Sequence, residues 1–62
     1  MEKLINILVA RRVRQGGNAI DSMLLLSELI AAHKGDNLAH ALHYNGFATE
    51  AAAAKAAEAF SA

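Results

Sequence analysis

Residues 18–33 read NAIDSMLLLSELIAAH, and this stretch decides the fold. At about 100° per residue on a helix, its apolar side chains occupy nearly the whole circumference. Only Asp21 and Glu28 form a clear polar stripe. The stretch lacks the alternation of a strand, and it is too short and too charged to span a membrane. It predicts a central apolar helix that other parts of the protein must surround.

The chain is short for a protein with such a helix. It has 62 residues, of which 55% are hydrophobic, and it contains neither cysteine nor proline. A chain of about this length buries only ~60% of its unfolded surface, so it usually needs a disulfide, a metal or a partner subunit. We therefore expect a single helical domain over residues 1–62, completed by homo-oligomerisation into a homodimer or a higher oligomer.

Composition also limits the possible partners and the compartment. Six basic and six acidic residues cancel, so no global field draws the protein to nucleic acid or to an anionic membrane. The absence of cysteine excludes disulfides and thiolate metal sites. The N-terminal apolar run ends in arginines rather than in a small-residue cleavage site, so we expect no signal peptide and a cytoplasmic protein.

Glycines divide the chain into segments. Gly16-Gly17, Gly35 and Gly46 each follow an apolar periodic stretch, which is where the glycine after a helix usually lies. The sequence thus predicts an all-α array of three to four short helices. Their expected ranges are about 2–15, 18–34, 37–45 and 49–61, with fraying after about residue 58. Branched side chains leave a strand open as an alternative for residues 4–9.

Local signals predict how these helices begin and end. Asn18 and Thr49 precede helical segments and are expected to cap them. Gly46 and Phe47 follow the third segment. We expect a Schellman motif there, with Phe47 packing back on Leu42.

Two sets of apolar residues follow from these segments. The predicted core consists of Ile20, Leu24, Leu26, Ile30, Leu8 and Leu42. The predicted oligomer interface consists of Leu4, Leu8, Met23, Leu25 and Leu29. Alanines dominate the last segment, so it either approaches another helix closely or packs weakly as a tail.

No catalytic, cofactor or metal-binding motif is discernible, and we expect no catalytic residue, no cofactor and no metal. The three histidines have only one HxxH spacing among them, which is a weak metal signal. The alternative is that these histidines lie on the surface or at an interface, including one that responds to pH. Candidate partner-binding residues are the basic run and the polar side of the third segment, namely Arg11, Arg12, Arg14, His40, His43 and Tyr44.

These observations favour a small non-enzymatic protein-interaction module. It would act as a regulator, adaptor or stoichiometric inhibitor of a larger protein partner. One alternative is a DNA-binding transcriptional regulator that uses a helix-turn-helix in residues 37–60 or the arginine run. It is not favoured, because the second helix of that pair carries two glutamates and one lysine. Another alternative is a small-ligand binder with its pocket at an oligomer interface.

Overall fold

The computed structural model describes residues 2–61, which form four α-helices. These are α1 (Glu2–Arg14), α2 (Ala19–Ala32), α3 (Gly35–Tyr44) and α4 (Glu50–Ser61). The described part of the chain contains no strand, so the all-helical prediction is confirmed and the strand alternative for residues 4–9 is wrong. The predicted boundaries agree with the observed ones to within about two residues. Fraying at the end of α4 stays a prediction.

Within residues 2–61, the helices are too short or too polar for any of them to cross a membrane.

The two predicted N-caps are confirmed. The Asn18 side-chain oxygen accepts a hydrogen bond from the backbone N–H of Asp21 at 3.1 Å. The Thr49 hydroxyl oxygen accepts one from the backbone N–H of Ala52 at 3.2 Å. Each cap therefore satisfies one of the N–H groups that the first turn of a helix leaves without an intrahelical acceptor.

The Schellman motif at the end of α3 is also confirmed. Gly46 has a positive φ of 82°. The Phe47 N–H donates to the Leu42 carbonyl at 2.9 Å, and the Gly46 N–H donates to the His43 carbonyl at 3.1 Å. This turn carries Phe47 into the interior, where both Phe47 and Leu42 have no exposed surface. A local capping motif thereby supplies the largest fully buried side chain among residues 2–61.

The turn between α1 and α2 repeats this hydrogen-bond pattern. The Gly17 N–H donates to the Arg12 carbonyl at 3.1 Å, and the Gly16 N–H donates to the Val13 carbonyl at 3.0 Å. Gly17 also lies close to Arg12, since an added Cβ would be 3.0 Å from the Arg12 carbonyl oxygen. A side chain at position 17 would therefore crowd the Arg12 carbonyl.

The prediction that Gly35 terminates the second helix is wrong. That helix ends at Ala32, and His33 and Lys34 follow in extended conformation. Gly35 is instead the first residue of α3. The two extended residues already separate the helices, so no glycine is needed to end α2.

The residues that α2 contributes to the core differ in part from the predicted ones. Leu8, Leu26 and Leu42 are buried as predicted, and Ile30 is partly buried. Ile20 and Leu24 are wrong predictions, because they are 70% and 62% exposed. The most extensive contact joins α3 to α4, whereas α2 packs on α1 and α3. Only one side of α2 is therefore covered.

The side chains that α4 contributes to the core are mostly alanines. Ala53, Ala56 and Ala57 are buried and lie within one stripe of the helix, and Phe60 packs against the core from the last turn. Short side chains let helix axes approach closely. Of the two expectations for this segment, the structure agrees with close approach, since the stripe packs on the leucines of α3.

Candidate protein-interaction surface

Arg12, predicted as a partner-binding residue, connects three parts of the fold. Its Nε donates to the Asn45 carbonyl at 2.9 Å, and its Nη1 donates to the Ser22 hydroxyl at 2.9 Å. Its guanidinium lies 5.4 Å from the centroid of the Phe47 ring. Both Ser22 and Phe47 are fully buried. Arg12 is therefore a partly buried residue whose guanidinium already has hydrogen-bond partners within the fold.

The other two arginines of the run differ from Arg12 and from each other. Arg11 is partly buried, and its Nε is buried without a hydrogen-bond partner in the described chain. Arg14 is exposed in the last turn of α1. Of the three predicted basic contacts, Arg14 is the one with a solvent-facing side chain.

Predicted contacts on α3 divide in a similar way. Tyr44 is exposed and stacks on exposed His40, with ring centroids 6.4 Å apart. His43 lies 3.0 Å from the Ala48 carbonyl through Nδ1, and since a carbonyl only accepts, Nδ1 is the donor. Its Nε2 is 3.8 Å from a Glu50 carboxylate oxygen. His43 thus belongs partly to the α3–α4 turn, whereas His40 and Tyr44 face solvent.

The histidines do not assemble into a metal site. Among residues 2–61, no three His, Asp or Glu side chains are placed so that they could share a metal ion. His40 and His43 are the pair that the sequence spacing brings together, and the second of them is already hydrogen-bonded to the backbone.

Three of the large hydrophobic side chains that are exposed among residues 2–61 lie on α2. We call the side of the helix that carries them the α2 outer face; it consists of Ile20, Met23, Leu24, Ser27 and Ala31, all exposed. At about 100° per residue these five side chains fall within about 100° of the helix circumference, turned away from buried Ser22 and Leu26. Met23 is 53% exposed, beside the still more exposed Ile20 and Leu24. Adjacent large apolar side chains of this kind are typical of interaction sites.

An acidic edge borders this face. Asp21 and Glu28 are exposed, and they lie about 20° apart on the helix, next to Leu24. This arrangement is the signal in the sequence that could have placed Leu24 at the surface. Leu24 follows Asp21 by three residues and precedes Glu28 by four, so all three share one side of α2.

A second exposed stripe runs along α1. We call it the α1 outer stripe; it consists of Lys3, Ile7, Ala10 and Arg14, all exposed. These residues lie within about 60° of the circumference. The stripe is turned away from buried Leu8, just as the α2 outer face is turned away from Leu26. It therefore combines a central apolar part with one basic residue near each end.

The residues predicted for the oligomer interface are distributed between core and surface. Leu8 is buried within the single chain. Leu4, Leu25 and Leu29 are partly buried and pack against the core. Met23 lies on the α2 outer face, next to Ile20 and Leu24, the two residues that were wrongly predicted to be buried.

An open groove lies between the beginning of α3 and the end of α4. It has a volume of about 510 Å³, and its rim carries Asp36 and Glu58. Alanines form much of its remaining lining. The groove lacks the convergent polar groups and the enclosure of a small-molecule site, so we regard the α2 outer face as the candidate functional surface.

The chain matches no protein family model, no curated protein and no solved structure.

Proposed function

We propose that this protein is a non-enzymatic protein-interaction module whose binding surface is the α2 outer face. It acts as a regulator, adaptor or stoichiometric inhibitor by occupying a protein surface rather than by transforming a substrate. The observation that carries the proposal is the cluster of Ile20, Met23 and Leu24, which are large, apolar, adjacent and more than half exposed.

Physical chemistry supports a protein as the ligand of this surface. A helix face with apolar residues in its centre and acidic residues along one edge has the pattern of a protein interface, with a desolvated centre and a polar rim. Burying apolar surface contributes roughly 25 cal/mol per Å². An open helix face surrounds no small molecule, so the area that it can bury is large only against another folded surface or helix.

The DNA-binding alternative receives no comparable support. The exposed positions of α4 are occupied mainly by alanine, together with Glu50, Lys55 and Glu58. Neither the α3–α4 pair nor Arg12, which is engaged inside the fold, offers the clustered cations that phosphate binding requires.

Site-specific photocrosslinking tests the proposal. The full chain would carry benzoylphenylalanine in place of Leu24 in its native host, and a matched chain would carry it in place of Ala51. Both positions are exposed, but Ala51 lies on α4, outside the α2 outer face. We expect a discrete protein adduct from position 24 that position 51 does not form. Adding Ile20→Ser and Met23→Ser should abolish it.

Circular dichroism of each variant provides the control for folding, and helicity should be unchanged because the replaced residues are exposed. Equal adducts from positions 24 and 51, or an adduct that survives the two serine substitutions, would contradict the proposal.

A further inference from the structure

We propose that the α2 outer face binds a second copy of this chain, and that α1 of each copy packs on α2 of the other around a two-fold axis parallel to the helices. The inference rests on the proposed function, because it names the occupant of the same surface. The dimer then contains a four-helix bundle in which the two α1–α2 hairpins stack back to back.

The hairpin has the geometry that this arrangement requires. α1 and α2 are joined by the Gly16-Gly17 turn and pack on each other, and Arg12 of α1 donates to the Ser22 hydroxyl of α2, so the chain folds back on itself at this turn. Both helices turn a buried leucine, Leu8 or Leu26, toward the common core. The α1 outer stripe and the α2 outer face therefore look away from that core on the same side of the hairpin.

Charges along the two stripes are complementary. Arg14 and Asp21 both lie at the turn end of the hairpin, whereas Lys3 and Glu28 lie toward the other end. A two-fold axis parallel to the helices keeps the turn ends together. It places Arg14 of one copy level with Asp21 on the acidic edge of the second copy, and it brings Lys3 near Glu28 on the same edge. Lys3 and Glu28 are not at the same level along the helix axes, and the flexible lysine side chain spans this difference.

The competing symmetric arrangement is unfavourable. A two-fold axis perpendicular to the helices would place each α1 on the α1 of the second copy and each α2 on the α2 of the second copy. Lys3 would then face Arg14, and Asp21 would face Glu28, so every charged contact would be repulsive. Like charges opposed across an interface lower affinity and select against that pairing.

Apolar complementarity accompanies the charges. In the proposed register the centre of one stripe, Ile7 and Ala10, lies over Leu24 and Ser27 of the second copy. Ile7 is 57% exposed in the single chain and would become covered. A stable interface buries about 800 Å² per partner, roughly a fifth of the 4206 Å² that the chain exposes. The outward sides of two helices out of four can provide an area of this order.

Charge reversal provides the test, with analytical ultracentrifugation of the full chain as the measurement. The acid-reversed variant carries Asp21→Lys and Glu28→Lys. The base-reversed variant carries Lys3→Glu and Arg14→Glu. The swapped variant carries all four substitutions. All four positions are exposed, and circular dichroism reports whether each variant keeps its helicity.

We expect the parent chain to dimerise at micromolar concentration. Each two-site variant should dimerise about tenfold more weakly, because weak attraction becomes weak repulsion at four solvent-exposed contacts. The swapped variant should recover the parent affinity. An equimolar mixture of the two two-site variants should form a heterodimer more tightly than either forms a homodimer.

Several outcomes would overturn the inference. Unchanged dimerisation of both two-site variants would refute the proposed pairing of α1 on α2, as would failure of the helical swapped variant to recover affinity. A parent chain that stays monomeric at millimolar concentration would refute the second copy as the occupant. In that last case, a position-24 adduct with a different protein would leave the proposed function standing, whereas the absence of any such adduct would refute both.

Discussion

Replacing Arg12 with methionine should break a side-chain connection between α1, α2 and the α3–α4 turn. Methionine keeps much of the aliphatic stem but deletes the guanidinium. The deletion removes the hydrogen bonds to the Asn45 carbonyl and the Ser22 hydroxyl, both 2.9 Å long. It also removes the positive charge over the Phe47 ring.

The expected loss of unfolding free energy is about 3 kcal/mol. A hydrogen bond to a charged group contributes ~1.5–3 kcal/mol, and a cation over an aromatic ring contributes ~0.5–2 kcal/mol. After the substitution, the Ser22 hydroxyl can donate a hydrogen bond to a backbone carbonyl one turn earlier in α2. The expected loss of unfolding free energy therefore lies near the lower end of the summed contributions. A chain of this length has roughly 3–9 kcal/mol of stability in all, so the substitution should leave it marginally folded or unfolded.

Urea denaturation followed by circular dichroism measures the effect, and the midpoint should fall by about 2 M. Arg14→Met is the matched control, because Arg14 is exposed and contributes only ~0.3–1 kcal/mol at the helix end. In a double-mutant cycle with Ser22→Ala, the two substitutions together should cost about 1–2 kcal/mol less than the sum of the two alone. If Arg12→Met and Arg14→Met had equal effects, the structural role assigned to Arg12 would be refuted.

Three further predictions concern packing, each measured by urea denaturation at a concentration where the chain is monomeric. Leu26→Ala should cost ~2–5 kcal/mol, whereas Leu24→Ala should cost less than ~0.5 kcal/mol; the reverse order would mean that α2 is rotated from its observed orientation. Gly17→Ala should cost ~1 kcal/mol or more, because its Cβ would press on the Arg12 carbonyl 3.0 Å away, and a neutral result would show that the turn can relax. Ala53→Leu should cost ~1–3 kcal/mol or more through overpacking, and a stabilised variant would reveal unfilled space between α3 and α4.

Local structure was predictable from sequence because its causes are local. Asn18, Thr49 and the Gly46-Phe47 pair each act within a few residues of their own position, through hydrogen bonds that the backbone geometry of a helix end requires. Even the burial of Phe47 followed from the expected packing on Leu42. Its place as the largest fully buried side chain did not, since that depends on all four helices.

The orientation of α2 could not be predicted in the same way. With apolar residues on nearly every side of the helix, the hydrophobic pattern has no preferred direction. What selects the inward side is a contact between helices. Ser22, small and polar, is buried because Arg12 reaches it from α1, and larger Ile20 and Leu24 then point outward. Only the acidic positions beside Leu24 marked this side in the sequence.

The candidate site shows the same division. Arg11, Arg12 and Arg14 are alike in sequence context, since all lie in the last turn of α1. Their different environments arise from the position of the α3–α4 turn, which receives one arginine and leaves another in water. No local pattern distinguishes them. The sequence therefore groups Arg12, which is hydrogen-bonded within the fold, with exposed Arg14. Partner binding by the arginines and an oligomer contact at Met23 stay predictions.

The buried alanines of α4 limit which mutations the sequence can accumulate. Single-nucleotide changes in an alanine codon lead to valine, threonine, serine, proline, glycine, aspartate or glutamate. At Ala53, Ala56 and Ala57, which are buried, each of these adds volume, introduces a polar group or weakens the helix. We therefore expect these three alanines, in the most repetitive part of the chain, to tolerate few mutations. In a saturation-mutagenesis screen for folding, these three positions should be depleted of nearly every replacement, while exposed Ala51 and Ala59 accept many.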